Sequence, residues 1–223
     1  NELIIPKIND IELLADGIYS KNYERTWMKD TRERLNFYEH LNANVEAVFT
    51  GNEDGVYIRE PNITMSDDYD PRERNWYKEA MEEKGQVVIS EPYISASTGE
   101  MVVTISKVNG DHSGVVGIDI SLNRLQELTE RVEIGDEGYA LILDNSQNIL
   151  AHPFAELGTK VEQEYDENVY HKESGIVEFT DRGEAAVLAF TTNETTGWKI
   201  GGVLYEAEII ESSAPILNAT LTV

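Results

Sequence analysis

The sequence has no cysteine. That excludes disulfides, thiolate zinc sites, iron–sulfur clusters and a cysteine nucleophile. Positive charge is scarce. In 223 residues, 18 Lys and Arg stand against 42 Asp and Glu, a formal net charge of −24. Phosphate backbones are bound by clustered Lys and Arg that displace counterions, and anionic membrane surfaces select the same residues. Neither nucleic acid nor a lipid surface is therefore an expected partner. No run of about 18 apolar residues is present, so no segment reads as a membrane span, and no signal-peptide pattern appears. The four histidines, His40, His112, His152 and His171, do not fall into metalloprotease spacing. Asp67, Asp68 and Asp70 lack calcium-loop spacing. Nucleophile elbows, P-loops and dinucleotide fingerprints are missing too. The expectation is a chain with no metal, no cofactor and no enzymatic activity.

What is present is enough apolar material for folded cores. Hydrophobic residues make up 40% of the chain, and the length suits one large domain or two small ones at about 100–200 residues each. The chain starts at Asn1 and ends on the apolar run Ala219 to Val223, which reads as a piece of a longer protein. Leu3, Ile4, Ile8, Ile11, Leu14 and Ile18 recur at helical spacing. Leu35, Tyr38 and Leu41 mark a second helix over Asp30 to Leu41. Then the period changes. Val45 to Thr50 and Val56 to Ile58 flank an Asp54-Gly55 turn, a hairpin signal. Strand-like runs follow at Val87 to Ile89, Met101 to Val108 and Val115 to Ile120, and a helix is expected over Leu122 to Val132.

The second half repeats this grammar. Tyr139 to Leu143 and Ile149 to Ala151 mirror the first hairpin, and Ala185 to Phe190 with Trp198 to Leu204 mirror Met101 to Ile120. Glycine stands mid-strand in both, at Gly117 and at Gly201-Gly202. The pattern predicts a chain of mixed helices and strands in two modules, each a hairpin-rich antiparallel sheet with helices on one face and a cleft on the other. The expected boundaries are a helical region at 1–43, a first module at 44–125, a second at 126–206, and an exit helix at 207–223.

Three stretches carry a family resemblance: Tyr69-Asp70-Pro71-Arg72-Glu73-Arg74-Asn75-Trp76-Tyr77, then Tyr93, then Gly114 to Ile120 with Asp119. Gly138-Tyr139-Ala140, Ala151-His152-Pro153 and Thr196 to Ile200 add to it. In this order they resemble the double Cache ligand-sensing domain of bacterial chemoreceptors, of the amino-acid-binding type, which implies an α+β fold of two PAS-like modules with antiparallel sheets. The resemblance implies an extracellular sensor between two membrane spans outside this sequence. It further implies a membrane-distal module that binds ligand, a proximal module that usually stays empty, and a homodimeric receptor. A histidine kinase output, or another ligand such as an amine, a carboxylate, a purine or the proton, is the alternative.

The chemistry of the matched residues fits a zwitterion. Arg74 offers a bidentate fork to a carboxylate, and the Trp76 indole N–H is a donor with no acceptor function. Asp119 supplies the anion for an ammonium. Tyr77 and Tyr93 offer hydroxyls and aromatic walls, and Ser95 and Thr104 are further wall candidates. Two features depart from the family pattern. Ser95 stands where a second acid often sits, and Phe49, Thr50 and Tyr57 are the nearest candidates for a tyrosine on the preceding strand. Alternation leaves Asp119, between Ile118 and Ile120, on either face of its strand. On one helix Arg74 and Trp76 would point about 200° apart. The family reading therefore puts Arg74 before the helix start, with regular helix from Asn75 and only a turn at Asp70-Pro71.

Overall fold

The computed structural model describes residues 4–161 and 168–210. The chain divides into two compact units, Asn1–Arg124 and Leu125–Val223. The first contains α1 (Ile4–Asp16), α2 (Met28–Leu41), β1 (Ala47–Asn52), β2 (Tyr57–Glu60), α3 (Asn75–Glu82), β3 (Val88–Ile89), β4 (Tyr93–Ile94), β5 (Met101–Val108) and β6 (Gly114–Ser121). Helix α4 (Leu122–Thr129) carries the chain into the second unit. There follow β7 (Tyr139–Leu143), β8 (Ile149–Ala151), α5 (Asn168–His171), β9 (Ser174–Asp181), β10 (Glu184–Thr192) and β11 (Lys199–Tyr205). Residues 206–210 are helical; the rest of the expected exit helix lies outside the described residues.

Local chemistry sets the element ends near the site. The β1–β2 turn closes because Asn52 Oδ1 accepts the backbone N–H of Asp54 at 3.1 Å and of Val56 at 2.8 Å. Gly55 takes the left-handed φ of 83° that the turn requires. Asp70 Oδ1 accepts the Arg72 N–H at 2.9 Å and caps a single 3₁₀ turn at Pro71–Glu73. Arg74 is extended, with φ −82° and ψ 146°, and α3 starts at Asn75. The start at Asn75 is the one the family resemblance implies, and the cap marks only a turn.

The first sheet has the order β2-β1-β6-β5-β3, with β4 also on β5, and the pairings are antiparallel. Side chains alternate between faces, so directly paired residues share one. Ala47, Asp119 and Thr104 form one cross-sheet row; Arg59, Phe49, Gly117 and Ser106 form the next on the same face. Helix α3 packs on this face, where Trp76, Tyr77 and Ala80 join Ala47, Phe49, Val108 and Val115 in one core cluster. The other face is covered as well: α1 runs along β5 and β6, and α2 along β1 and β2. Ile11, Ile18 and Leu35 are fully buried there. The expectation of helices on one face only is thus corrected. All eight β6 residues are buried, and neither side of that strand is a solvent face.

The second sheet repeats the topology in the order β8-β7-β11-β10-β9. A hairpin pairs through its first strand with the last strand of the unit, as in the first half. The sequence reading missed β9, whose burial alternates along its length, and the two-residue β4. The helix expected over Leu122 to Val132 ends at Thr129. The mid-strand glycines have a steric cause. A Cβ on Gly117 would lie 2.3 Å from Phe49 Cε2, and one on Gly201 would lie 2.6 Å from Leu188 Cδ1. Each lets a cross-strand side chain lie flat over the central strand.

Gly117→Ala is therefore expected to displace the Phe49 ring and destabilise the chain by about 1–3 kcal/mol. Urea denaturation checks this. An unchanged midpoint would show that the ring moves without cost.

Candidate ligand-binding site

In the first unit a cavity lies on the α3 face of the sheet. Phe49, Tyr57, Met65, Tyr69, Arg74, Trp76, Tyr93, Ser95, Ala96, Ser97 and Asp119 line it. Five of the seven residues singled out from sequence are in this wall: Arg74, Trp76, Tyr93, Ser95 and Asp119. Thr104 stands behind it. The Thr104 Oγ1 hydroxyl donates to Asp119 Oδ1 at 2.6 Å and lies 2.6 Å from the Tyr93 hydroxyl, which reaches Asp119 Oδ1 at 3.4 Å. Tyr77 is not among the lining residues. It packs in the core cluster beside Trp76, at 5.6 Å between ring centroids, and its buried hydroxyl has no hydrogen-bond partner among the described residues.

The walls are aromatic. Trp76 and Phe49 are 4.8 Å apart between centroids, as are Tyr57 and Tyr69. The Arg74 guanidinium carbon lies 5.8 Å from the Tyr69 ring centroid, within cation–π range, which leaves its hydrogen-bond donors unused. Arg74 makes no hydrogen bond among the described residues. Ser95 and Ser97 hydroxyls are 2.8 Å apart at the cavity edge. The cavity is narrow, about 10 Å³, which is space for about one water. A larger ligand enters only by displacing wall side chains, and the loops carrying Met65, Tyr69 and Ser95–Ser97 are the part of the wall outside the sheet.

Asp119 is 3% exposed, so its electrostatics dominate the site. Burial pushes its carboxyl up to about 7, against the Thr104 and Tyr93 hydrogen bonds and the Arg59 charge, which favour ionisation, while Glu46 adds to the rise. Only Oδ1 is engaged; Oδ2 accepts no hydrogen bond among the described residues. Burial also raises the pKa of Tyr93, with the Asp119 charge adding to it, and that of Tyr69. Both phenols are therefore neutral donors at physiological pH.

Sequence reasoning gave no site role to five residues. Tyr69 lay in the quoted motif without a role. Ser97 lies in the small polar run Ser95 to Gly99, whose composition favours a turn. Met65 and Ala96 carried no signal, because loops have no period. Arg59, 3% exposed on β2, is the buried cation that acts on Asp119. Hairpin register alone places it on the Asp119 face, since it alternates with Ile58. The second unit lacks this charge: by register its counterparts of Thr104 and Asp119 are Leu188 and Val203.

A Cache-domain profile matches residues 10–213. The chain belongs to the Cache-domain family. This Cache domain is 35% identical over all of its length to the Bacillus subtilis methyl-accepting chemotaxis protein McpA, covering 34% of that protein. It is 38% identical to TlpB of the same organism, over 86% of this chain and 29% of that one. The domain thus spans about a third of the length of these relatives. Among solved structures it resembles the ligand-binding domain of the Pseudomonas aeruginosa amino acid chemoreceptor PctB in complex with L-Arg. That match has a TM-score of 0.75 and 26% identity, and covers 93% of this chain and 89% of that one. The ligand-binding domain of the Pseudomonas fluorescens chemoreceptor CtaA in complex with L-isoleucine gives a TM-score of 0.74 and 26% identity, over 94% and 87%. No described helix of this Cache domain is long and apolar enough to cross a membrane.

The raised Asp119 pKa has a consequence for stability. The folded chain holds this proton more tightly than the unfolded chain, whose carboxyl titrates near 3.8. The stabilisation is complete below that value and is lost as pH rises through about 7. Asp119→Asn removes the buried charge. Its melting temperature relative to the parent is expected to climb from about pH 4 to about pH 7 and then level off. A difference that is flat across this window would show that Asp119 titrates normally.

Proposed function

We propose that this chain is the extracellular ligand-sensing domain of a methyl-accepting chemotaxis receptor and that it binds a free L-amino acid in the first unit, the membrane-distal module. One observation carries the reading. The Asp119 carboxylate and the Arg74 guanidinium line one aromatic cavity, and among the described residues Asp119 Oδ2 accepts no hydrogen bond and Arg74 donates none. An α-ammonium and an α-carboxylate complement these two groups. Leaving either charge buried without a partner is costly, which favours a zwitterion over a carboxylate or an amine. Trp76 donates to the ligand carboxylate, and Tyr93 and Thr104 orient Asp119. Ser95 borders the ligand, and Tyr77 supports Trp76 from the core without touching it. The chemotaxis relatives and the amino-acid complexes of PctB and CtaA support the same assignment.

The domain turns over no substrate; its output is a shift between two populations. Ligand stabilises the conformation in which the walls close on it, by no more than its differential affinity for the two states. The signal leaves through membrane-spanning helices that flank this sequence, in a homodimeric receptor.

The test is a thermal-shift screen against the L-amino acids. A ligand at 100 times its Kd stabilises by about 2.7 kcal/mol. Asp119→Asn and Arg74→Gln are each expected to lower affinity by about 2–4 kcal/mol, the cost of leaving one charge of a desolvated pair alone. If no amino acid shifts the melting temperature, or if the variants respond like the parent, the site assignment fails.

A further inference from the structure

The second unit holds a cavity of about 450 Å³, far larger than the one described above. We propose that it is a second ligand site, one that takes a small monocarboxylate with an apolar body. The inference is independent of the amino-acid reading of the first unit.

The wall combines one prepared cation with an apolar floor. Arg182 sits at the tip of the β9–β10 hairpin, with φ 50°, next to Gly183 with φ 91°. Such turns favour Asn-Gly or Asp-Gly, so turn chemistry does not account for an arginine there. Its guanidinium is held on three sides. The carbon lies 3.8 Å from the Phe154 ring centroid, Nε donates to Asp181 Oδ2 at 3.3 Å, and Nη2 donates to the Tyr205 hydroxyl. Tyr205 in turn donates to Asp181 Oδ2 at 2.6 Å. A guanidinium has five N–H donors, and those on Nη1 make no hydrogen bond among the described residues. The fork is therefore fixed in place with its outer donors spare.

His152 adds a second donor. Its Nδ1 accepts the Phe154 N–H at 3.1 Å, which puts the proton of the neutral ring on Nε2. Burial lowers the pKa of this ring, with Asp181 acting in the opposite direction, and Nε2 has no partner among the described residues. Arg182 and His152 both line the cavity, and Ile149, Ala155 and Val161 supply apolar wall. Two donors beside an apolar pocket suit a carboxylate carrying a hydrocarbon body. Charge limits the ligand to one anionic group. Asp181 already offsets Arg182, and Glu156 on the wall offsets Lys160, whose Nζ is bound to the Ser146 carbonyl at 2.5 Å, so the wall holds no surplus positive charge for a second anionic group. A zwitterion is disfavoured because the Asp181 carboxylate is committed to Tyr205 and Arg182.

Calorimetric titration of the whole chain with butanoate, 4-methylpentanoate and benzoate, beside butanamide and benzamide, tests this. At least one carboxylate is expected to bind one to one, at least tenfold more tightly than its amide. Its Kd is expected to be unchanged by Arg74→Gln and raised at least tenfold by Arg182→Gln. Ala155→Phe keeps the Arg182 network and fills the pocket, so it serves where Arg182→Gln fails to fold, and it is expected to abolish binding. The proposal is overturned if no carboxylate binds, if amides bind equally, or if Arg74→Gln abolishes binding while Ala155→Phe leaves it intact.

Discussion

A carboxylate buried on the central strand of the first sheet is the constraint around which that unit is organised. Asp119 lies between β1 and β5, with helices covering both faces of the sheet, and has almost no access to water. A group of that kind stays ionisable only if its surroundings take over the work of hydration. Thr104, its direct cross-strand partner, and Tyr93 from the neighbouring edge supply hydroxyls, and Arg59 supplies charge from two strands away. The compensation is partial, because the carboxyl still titrates near 7. A carboxylate left short of partners in this way gains most from an external cation.

The two units share a topology and differ at this slot. In the second sheet the row that holds Thr104 and Asp119 in the first is Leu188 and Val203, both inside an apolar cluster with Tyr139, Leu141 and Phe190. The backbone framework is the same, down to the glycine that clears space for a side chain over the last strand. The chemistry is not. Polar groups in the second unit gather instead at the β9–β10 turn and the segment after β8, on the rim of the sheet. A duplicated fold thus carries its chemistry in the sheet centre in one unit and at the sheet edge in the other.

Much of this was legible in the sequence, for reasons that differ by element. The paired hairpins and the repeated sheet follow from period-two runs, Asp-Gly and polar turns, and mid-strand glycines. The start of α3 at Asn75 needed two signals. The Asp70 cap and Pro71 alone predict helix through Arg74, whereas the need for Arg74 and Trp76 to share one site predicts a break, which the extended Arg74 provides. The face of Asp119 was not decided by alternation, since Ile118 and Ile120 are as buried as it is; only register against Thr104 decides it. Strand β9 has no clean alternation in its sequence, because its outward positions mix Ile176 with Ser174, Glu178 and Thr180 and its inward row ends on the buried Asp181. Tyr77 lies in the core cluster and outside the cavity lining: a motif tells which residues recur together, and not which of two neighbouring aromatics on a helix turns to the core.

The central claim is that the first cavity reads both charges of an amino acid. Its most direct measurement is a calorimetric comparison of L-leucine with isoamylamine, which lacks the carboxylate, and with 4-methylpentanoate, which lacks the ammonium. Carrying it out on the Arg182→Gln chain keeps the second cavity from contributing. The account predicts that L-leucine binds at least a hundredfold more tightly than either analogue, about 2.7 kcal/mol. If 4-methylpentanoate bound as tightly as L-leucine, Asp119 would have no ammonium to hold, and the account of the site would be wrong.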